Sequence, residues 1–146
     1  MASRLHYLMG SLALATVLVV TGCSGDEELG SKQVNVNLAY GSGSNHGPKD
    51  ATGVAYLDTS NGLVEIDVVG LPELQDERYE GWLAGGDEDP ISTGRFNTNA
   101  EGIGSSSIKL GDISNRTYER VVITVEPEPD PTPAPDPRHS IEGAIP

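Results

Sequence analysis

The chain lacks most of the residues from which enzymes and cofactor proteins build their sites. Its 146 residues include one cysteine, two methionines, three histidines, one tryptophan and one phenylalanine. A single Cys excludes an intramolecular disulfide. Both methionines, Met1 and Met9, lie in the first nine residues, so a blue-copper site of two His, a Cys and an axial Met has no material further on. Positive charge is equally short. Nine Lys and Arg stand against 22 Asp and Glu, a formal net charge of −13. Phosphate binding needs clustered cations to displace counterions, so DNA and RNA are excluded as partners. Also missing is any apolar run of about 20 residues, the length that spans a bilayer as a helix. Helical periodicity is absent as well, whereas 18 Gly and 10 Pro mark a turn-rich chain.

What is present begins with an address. A short cationic start (Arg4, His6) leads into an apolar run from Leu8 to Val20, broken by Gly10, Ser11 and Thr16, and then into small residues before Cys23. This is the layout of a cleaved secretory signal peptide over residues 1–22. Val20-Thr21-Gly22-Cys23 resembles the lipobox of bacterial lipoproteins, in which the Cys is acylated and becomes the mature N-terminus. Thr21 departs from the usual Ala or Ser. The resemblance implies a lipidation site at Cys23 and a membrane partner reached through a lipid anchor, and acylation explains a lone exported thiol. Several acyl chains hold a protein stably at a bilayer. Ser24, where an Asp would favour inner-membrane retention, points to the outer membrane in a two-membrane source. Loss of Arg4 with the signal leaves eight cations against the same carboxylates, a net charge of −14. Such a body is repelled by anionic headgroups, and residues 23–32 read as a flexible acidic tether.

From Gln33 onward the apolar pattern has a period of two. Val34, Val36 and Leu38 alternate with Asn35 and Asn37. Gly53–Leu57 and Leu63–Val69 form a predicted hairpin across Asn61-Gly62, with Val64, Ile66 and Val68 inward and Glu65 and Asp67 in solvent. Further strands are predicted at 79–84, 91–96, 106–110, 118–125 and 139–144. Seven or eight short strands argue an all-β fold, an immunoglobulin-like antiparallel β-sandwich over residues 33–146. From Glu126 to Pro137 a Pro stands at every second position. The spacing predicts an extended, polyproline-like surface connection, loop 127–137, that forms no ordinary β ladder.

The chemistry-bearing groups are sparse. His46 and His139, without a third ligand, read as surface residues, and no cofactor or metal is predicted. Asp87-Glu88-Asp89 lacks the spaced acidic pattern of a calcium loop and reads as a solvated turn. Ser42, Ser44 and His46 fall together in a Gly-rich loop, but not in the strand-to-helix elbow that exposes a nucleophile. Trp82, between Gly81 and Leu83, is the candidate interaction residue, since Trp is enriched at interface hot spots. The other reading of Trp82 is a core residue between two sheets.

The stretch from Gly53 to Ala144 resembles the extracytoplasmic C-terminal domain of the anti-sigma-K factor family. The resemblance rests on Gly70-Leu71-Pro72 with Leu74, Tyr79, Trp82-Leu83, Ile91-Ser92-Thr93-Gly94-Arg95-Phe96, Gly102, Ile123-Thr124-Val125-Glu126-Pro127 and Gly143. Glu128-Pro129-Asp130-Pro131 stands where members carry a Gly-Gly-Ser stretch, so that loop differs in shape. Members also place a cytoplasmic sigma-binding domain and a spanning helix before this domain, where this chain has a signal peptide. The resemblance therefore implies a β-sandwich outside the cytoplasmic membrane, with no sigma factor held by the chain itself. The expected function is a lipid-anchored, non-catalytic binding or interaction module of the cell envelope, with an envelope protein as partner. Two alternatives stand beside it: an envelope stress-signalling component acting with a separate membrane protein, and a small exported hydrolase or metal-dependent enzyme.

Overall fold

The computed structural model describes residues 33–146; the predicted signal segment 1–22, the predicted lipidation site Cys23 and the predicted tether 23–32 lie outside them. Eight strands follow in order: β1 (Gln33–Ala39), β2 (Thr52–Asp58), β3 (Leu63–Val69), β4 (Glu77–Ala84), β5 (Ile91–Phe96), β6 (Ile103–Lys109), β7 (Arg120–Pro127) and β8 (His139–Ala144). They form one antiparallel sheet with the order β5-β4-β7-β8-β1-β2-β3-β6. The all-β antiparallel expectation is met. The sheet curls until its two outermost strands meet, and a Thr98–Gly104 bridge ties the chain beyond β5 to the start of β6. Curling of this kind gives a sandwich- or barrel-like body and covers edges that would otherwise recruit other chains.

The period-two pattern sets which side chains enter the interior. Val36 and Leu38 of β1, Ala55 and Leu57 of β2, and Val64, Ile66 and Val68 of β3 are buried in one apolar cluster. Asn35, Glu65 and Asp67 face solvent. The β2–β3 hairpin pairs Asp58 with Leu63, and Gly62 in its turn has φ +65. A side chain there would also strike the Gly111 carbonyl, with a Cβ at 1.5 Å. Tyr79, Leu83, Phe96, Val121, Ile123, Val125 and Ile141 complete the cluster from the other half of the sheet. The Tyr79 hydroxyl donates to the Pro72 carbonyl at 2.8 Å, anchoring the chain that enters β4, and burial with the nearby Glu77 pushes its pKa up to about 12.

Two elements depart from expectation. β6 begins at Ile103, three residues before the predicted start at 106, because Ile103 and Gly104 pair with Val69 and Val68. β7 continues through Glu126 to Pro127, where Glu77 and Arg78 pair with those residues. The Pro run therefore starts inside a ladder, not beyond it. A terminal Pro is tolerated there because its missing N–H is needed only by a longer strand. The rest of the run connects β7 to β8 as expected, but it folds back and is not simply extended. Its roots meet where the Val125 N–H donates to the Arg138 carbonyl at 3.1 Å.

The halves of the sheet differ in cover. On β1–β3 one face is wet. In β4, by contrast, every residue from Tyr79 to Ala84 is buried, and in β7 every residue from Val121 to Glu126. Strands covered on both faces carry near-continuous apolar runs, as Val121-Val122-Ile123-Thr124-Val125 does.

The seam between β8 and β1 depends on glycine. A Cβ at Gly143 would lie 2.2 Å from the Asn37 carbonyl oxygen. Gly143→Ala should cost about 1–3 kcal/mol of stability, read as a lowered urea midpoint with an unchanged slope.

Candidate functional site

Alternation along β4 and β7 turns Glu80, Trp82, Thr124 and Glu126 away from the apolar cluster, onto the outer face that loop 127–137 covers. Glu80 pairs across the sheet with Thr124 on one side and with Arg95 of β5 on the other. Thr124 Oγ1 accepts the Trp82 indole N–H at 2.9 Å and donates to Glu126 Oε1. The Asp136 N–H, from the returning limb of the loop, donates to that same Glu126 oxygen at 2.9 Å. Ser92 Oγ donates to Glu80 Oε1. Each glutamate thus has one oxygen held by a hydroxyl. The other oxygens, Glu80 Oε2 and Glu126 Oε2, are buried and receive no hydrogen bond. Asp130 of the loop completes the group: one carboxylate oxygen from each of Glu80, Glu126 and Asp130 lies within 4.8 Å of the others.

Two arginines fasten the loop. Arg95 donates through Nη2 to the Pro127 carbonyl at 2.7 Å, and stands 3.4 Å from Glu80 Oε2 and 3.3 Å from Glu128 Oε2. Arg138 reaches Asp136 Oδ1 at 2.9 Å and Glu77 Oε1 at 2.5 Å, tying the end of the loop to the start of β4. Glu80 is 5% exposed and Glu126 is fully buried. Burial raises the Glu80 pKa; the Ser92 hydrogen bond and Arg95 oppose this, while the charges of Glu126 and Asp130 add to it. An ionised carboxylate away from water is costly unless paired, and this site gathers two buried carboxylates, Glu80 and Glu126, with the half-buried Asp130, while its one guanidinium, Arg95, pairs with Glu80 and Glu128.

The residues singled out from sequence fall elsewhere or play different parts. Trp82 is 3% exposed and spends its indole N–H on Thr124, so its ring is a buried structural element of the outer face. It stands outside the inner apolar cluster, on the opposite side of β4 from Tyr79 and Leu83. The fold does bring His46 and His139 together: the His46 N–H donates to the His139 carbonyl at 3.0 Å. Among the described residues the one three-ligand group is nevertheless the carboxylate cluster. Asp87 and Glu88 belong to an exposed turn, where Glu88 pairs with Arg116 at 3.8 Å. Ser44 Oγ accepts the Gly41 N–H at 3.1 Å, closing its own loop.

Sequence reasoning missed Glu80, Glu126 and Asp130. The Pro spacing places Glu126 at the head of a surface connection, whereas in the structure it is the last buried residue of β7, on the outer face of a strand covered on both sides. One signal was available. Glu80 stands two residues from Trp82, and Glu126 two from Thr124, so alternation places each acid beside a buried neighbour.

The family model described as Anti-sigma-K factor rskA, C-terminal, matches residues 9–140. The match begins well before Gly53, the first residue of the motif pattern. No curated protein and no solved structure matches the chain.

Trp82→Ala should destabilise the fold by about 3–5 kcal/mol, measured by chemical denaturation. A second expectation concerns acid. The hydrogen bond from Arg138 holds the Asp136 carboxyl below its ordinary range. Its stabilisation is therefore present above the unfolded aspartate pKa and fades as pH falls through the folded value. Thermal melts from neutral to acid pH should show this loss in the wild type and a shallower one in Asp136→Asn.

Proposed function

Because the chain belongs to the anti-sigma-K factor C-terminal domain family, we propose that it is a lipid-anchored binding module of the cell envelope that works without catalysis. The observation that carries this reading is the joint presence of that extracytoplasmic domain and the Val20-Thr21-Gly22-Cys23 sequence, ten residues before β1. Acylation at Cys23 attaches the chain, residues 24–32 form the tether, and the β domain stands clear of the headgroups because its charge repels them. Ser24 directs the lipoprotein to the outer membrane in a two-membrane cell. The domain then meets its envelope protein partner through its surface.

A second reading, a component of envelope stress signalling that acts with a separate membrane protein, is favoured by the anti-sigma description of the family. It shares the anchor and differs in the partner.

In Cys23→Ser, acyl labelling and globomycin-sensitive processing should both disappear; labelling that persists sinks the anchor. Crosslinking in intact envelopes with the wild type, but not with the unanchored variant, should capture the partner. A membrane-spanning regulator among the products would select the signalling reading.

A further inference from the structure

Glu126 is a buried acid with an unused oxygen. Its Oε1 accepts from Thr124 and from the Asp136 N–H, while its Oε2 is buried with no donor. Glu80 repeats the arrangement, with Ser92 on Oε1 and a buried Oε2 that receives no hydrogen bond. The hydroxyls orient both carboxylates, as outer-shell donors do around a bound cation, and leave Glu126 Oε2 free, while Glu80 Oε2 has only the Arg95 guanidinium, 3.4 Å away. Arg95 shares its charge between Glu80 and Glu128. Among the ion pairs of the described residues, neither Glu126 nor Asp130 has a cationic partner.

We propose that Glu80, Glu126 and Asp130 bind a calcium ion that fixes loop 127–137 to the outer face of β4 and β7. The donor set consists of hard carboxylate oxygens, which select calcium or magnesium over softer metals. Adaptability favours calcium, which takes six to eight oxygens in irregular geometry at about 2.3–2.6 Å, whereas magnesium demands a near-ideal octahedron at about 2.1 Å, a geometry ill suited to ligands drawn from two strands and a loop. The three oxygens lie within 4.8 Å of one another as they stand. Two ligands sit on adjacent strands and the third on the loop, so binding couples loop position to the cation. An affinity of about 10⁻⁴–10⁻³ M, the range of extracellular calcium modules, is expected for three protein carboxylates. The inference concerns the folded domain and does not depend on the lipid anchor.

Terbium(III) occupies calcium sites and luminesces when excited through a nearby indole. Trp82 is the single tryptophan and lies two residues from Glu80 on the same face. The full-length protein in non-ionic detergent should therefore show saturable, indole-excited terbium emission that calcium displaces. Calcium should also raise the melting temperature and slow amide exchange at Asp136. Glu126→Gln and Asp130→Asn should each weaken binding about tenfold or more, and Ser92→Ala, which only releases an orienting hydroxyl, about tenfold. Asp87→Asn, in the exposed acidic turn, should bind like the wild type. Asp130 lies on the loop, so its variant keeps the test open if Glu126→Gln fails to fold. The proposal is overturned by an absence of saturable emission, or by emission undiminished in Asp130→Asn. It is equally overturned if calcium leaves the melting temperature unchanged while Glu126→Gln raises it, which would mean that the carboxylates share a proton.

Discussion

Everything on one half of this molecule follows from the need to bury both faces of β4 and β7. Their inner faces are satisfied by the apolar cluster, through Tyr79, Leu83, Val121, Ile123 and Val125. Their outer faces carry Glu80, Trp82, Thr124 and Glu126, and a polar face can be dried only if its hydrogen bonds are made internally. The loop from Pro127 to Pro137 meets much of that need. Proline deprives it of donors for a ladder, so it attaches through the groups it has left: the Pro127 carbonyl to Arg95, the Asp136 N–H to Glu126, and the Asp136 carboxylate to Arg138.

Arg95 and Arg138 consequently matter out of proportion to their number. In a chain with 22 acidic residues and nine basic ones, two arginines stand at the two roots of one loop. Each spans a strand and the loop, Arg95 through Glu80 and Glu128, Arg138 through Glu77 and Asp136. A planar guanidinium with several donors suits such bridging better than an ammonium. Within the loop site itself, Glu126 and Asp130 take no part in the ion pairs of the described residues.

The fold was largely legible because alternation along a strand is a property of consecutive residues. Val34-Asn35-Val36-Asn37-Leu38 and Val64-Glu65-Ile66-Asp67-Val68 declare their faces without reference to any partner, and Asn61-Gly62 declares its turn. Where the signal was weaker, boundaries moved. Ile103, set between Gly102 and Gly104, has no alternating run of its own, and Ile103 and Gly104 join β6 because Val69 and Val68 pair with them. The same logic explains the Trp82 result. Its burial was one of two readings open in the sequence, but its place on the outer face, with Thr124 as hydrogen-bond partner, required the register of β4 against β7.

By itself, the sequence determined the strands, the acidic surface, the family pattern and the place of Cys23, since each is written in adjacent residues or in composition. Only the tertiary structure decided that Glu80, Glu126 and Asp130 share one site. They come from two strands and a loop, and their convergence depends on β4 pairing with β7 and on the Pro-rich segment turning back. Both are contacts between distant residues whose energy comes from burying a face, so no local spacing could record them.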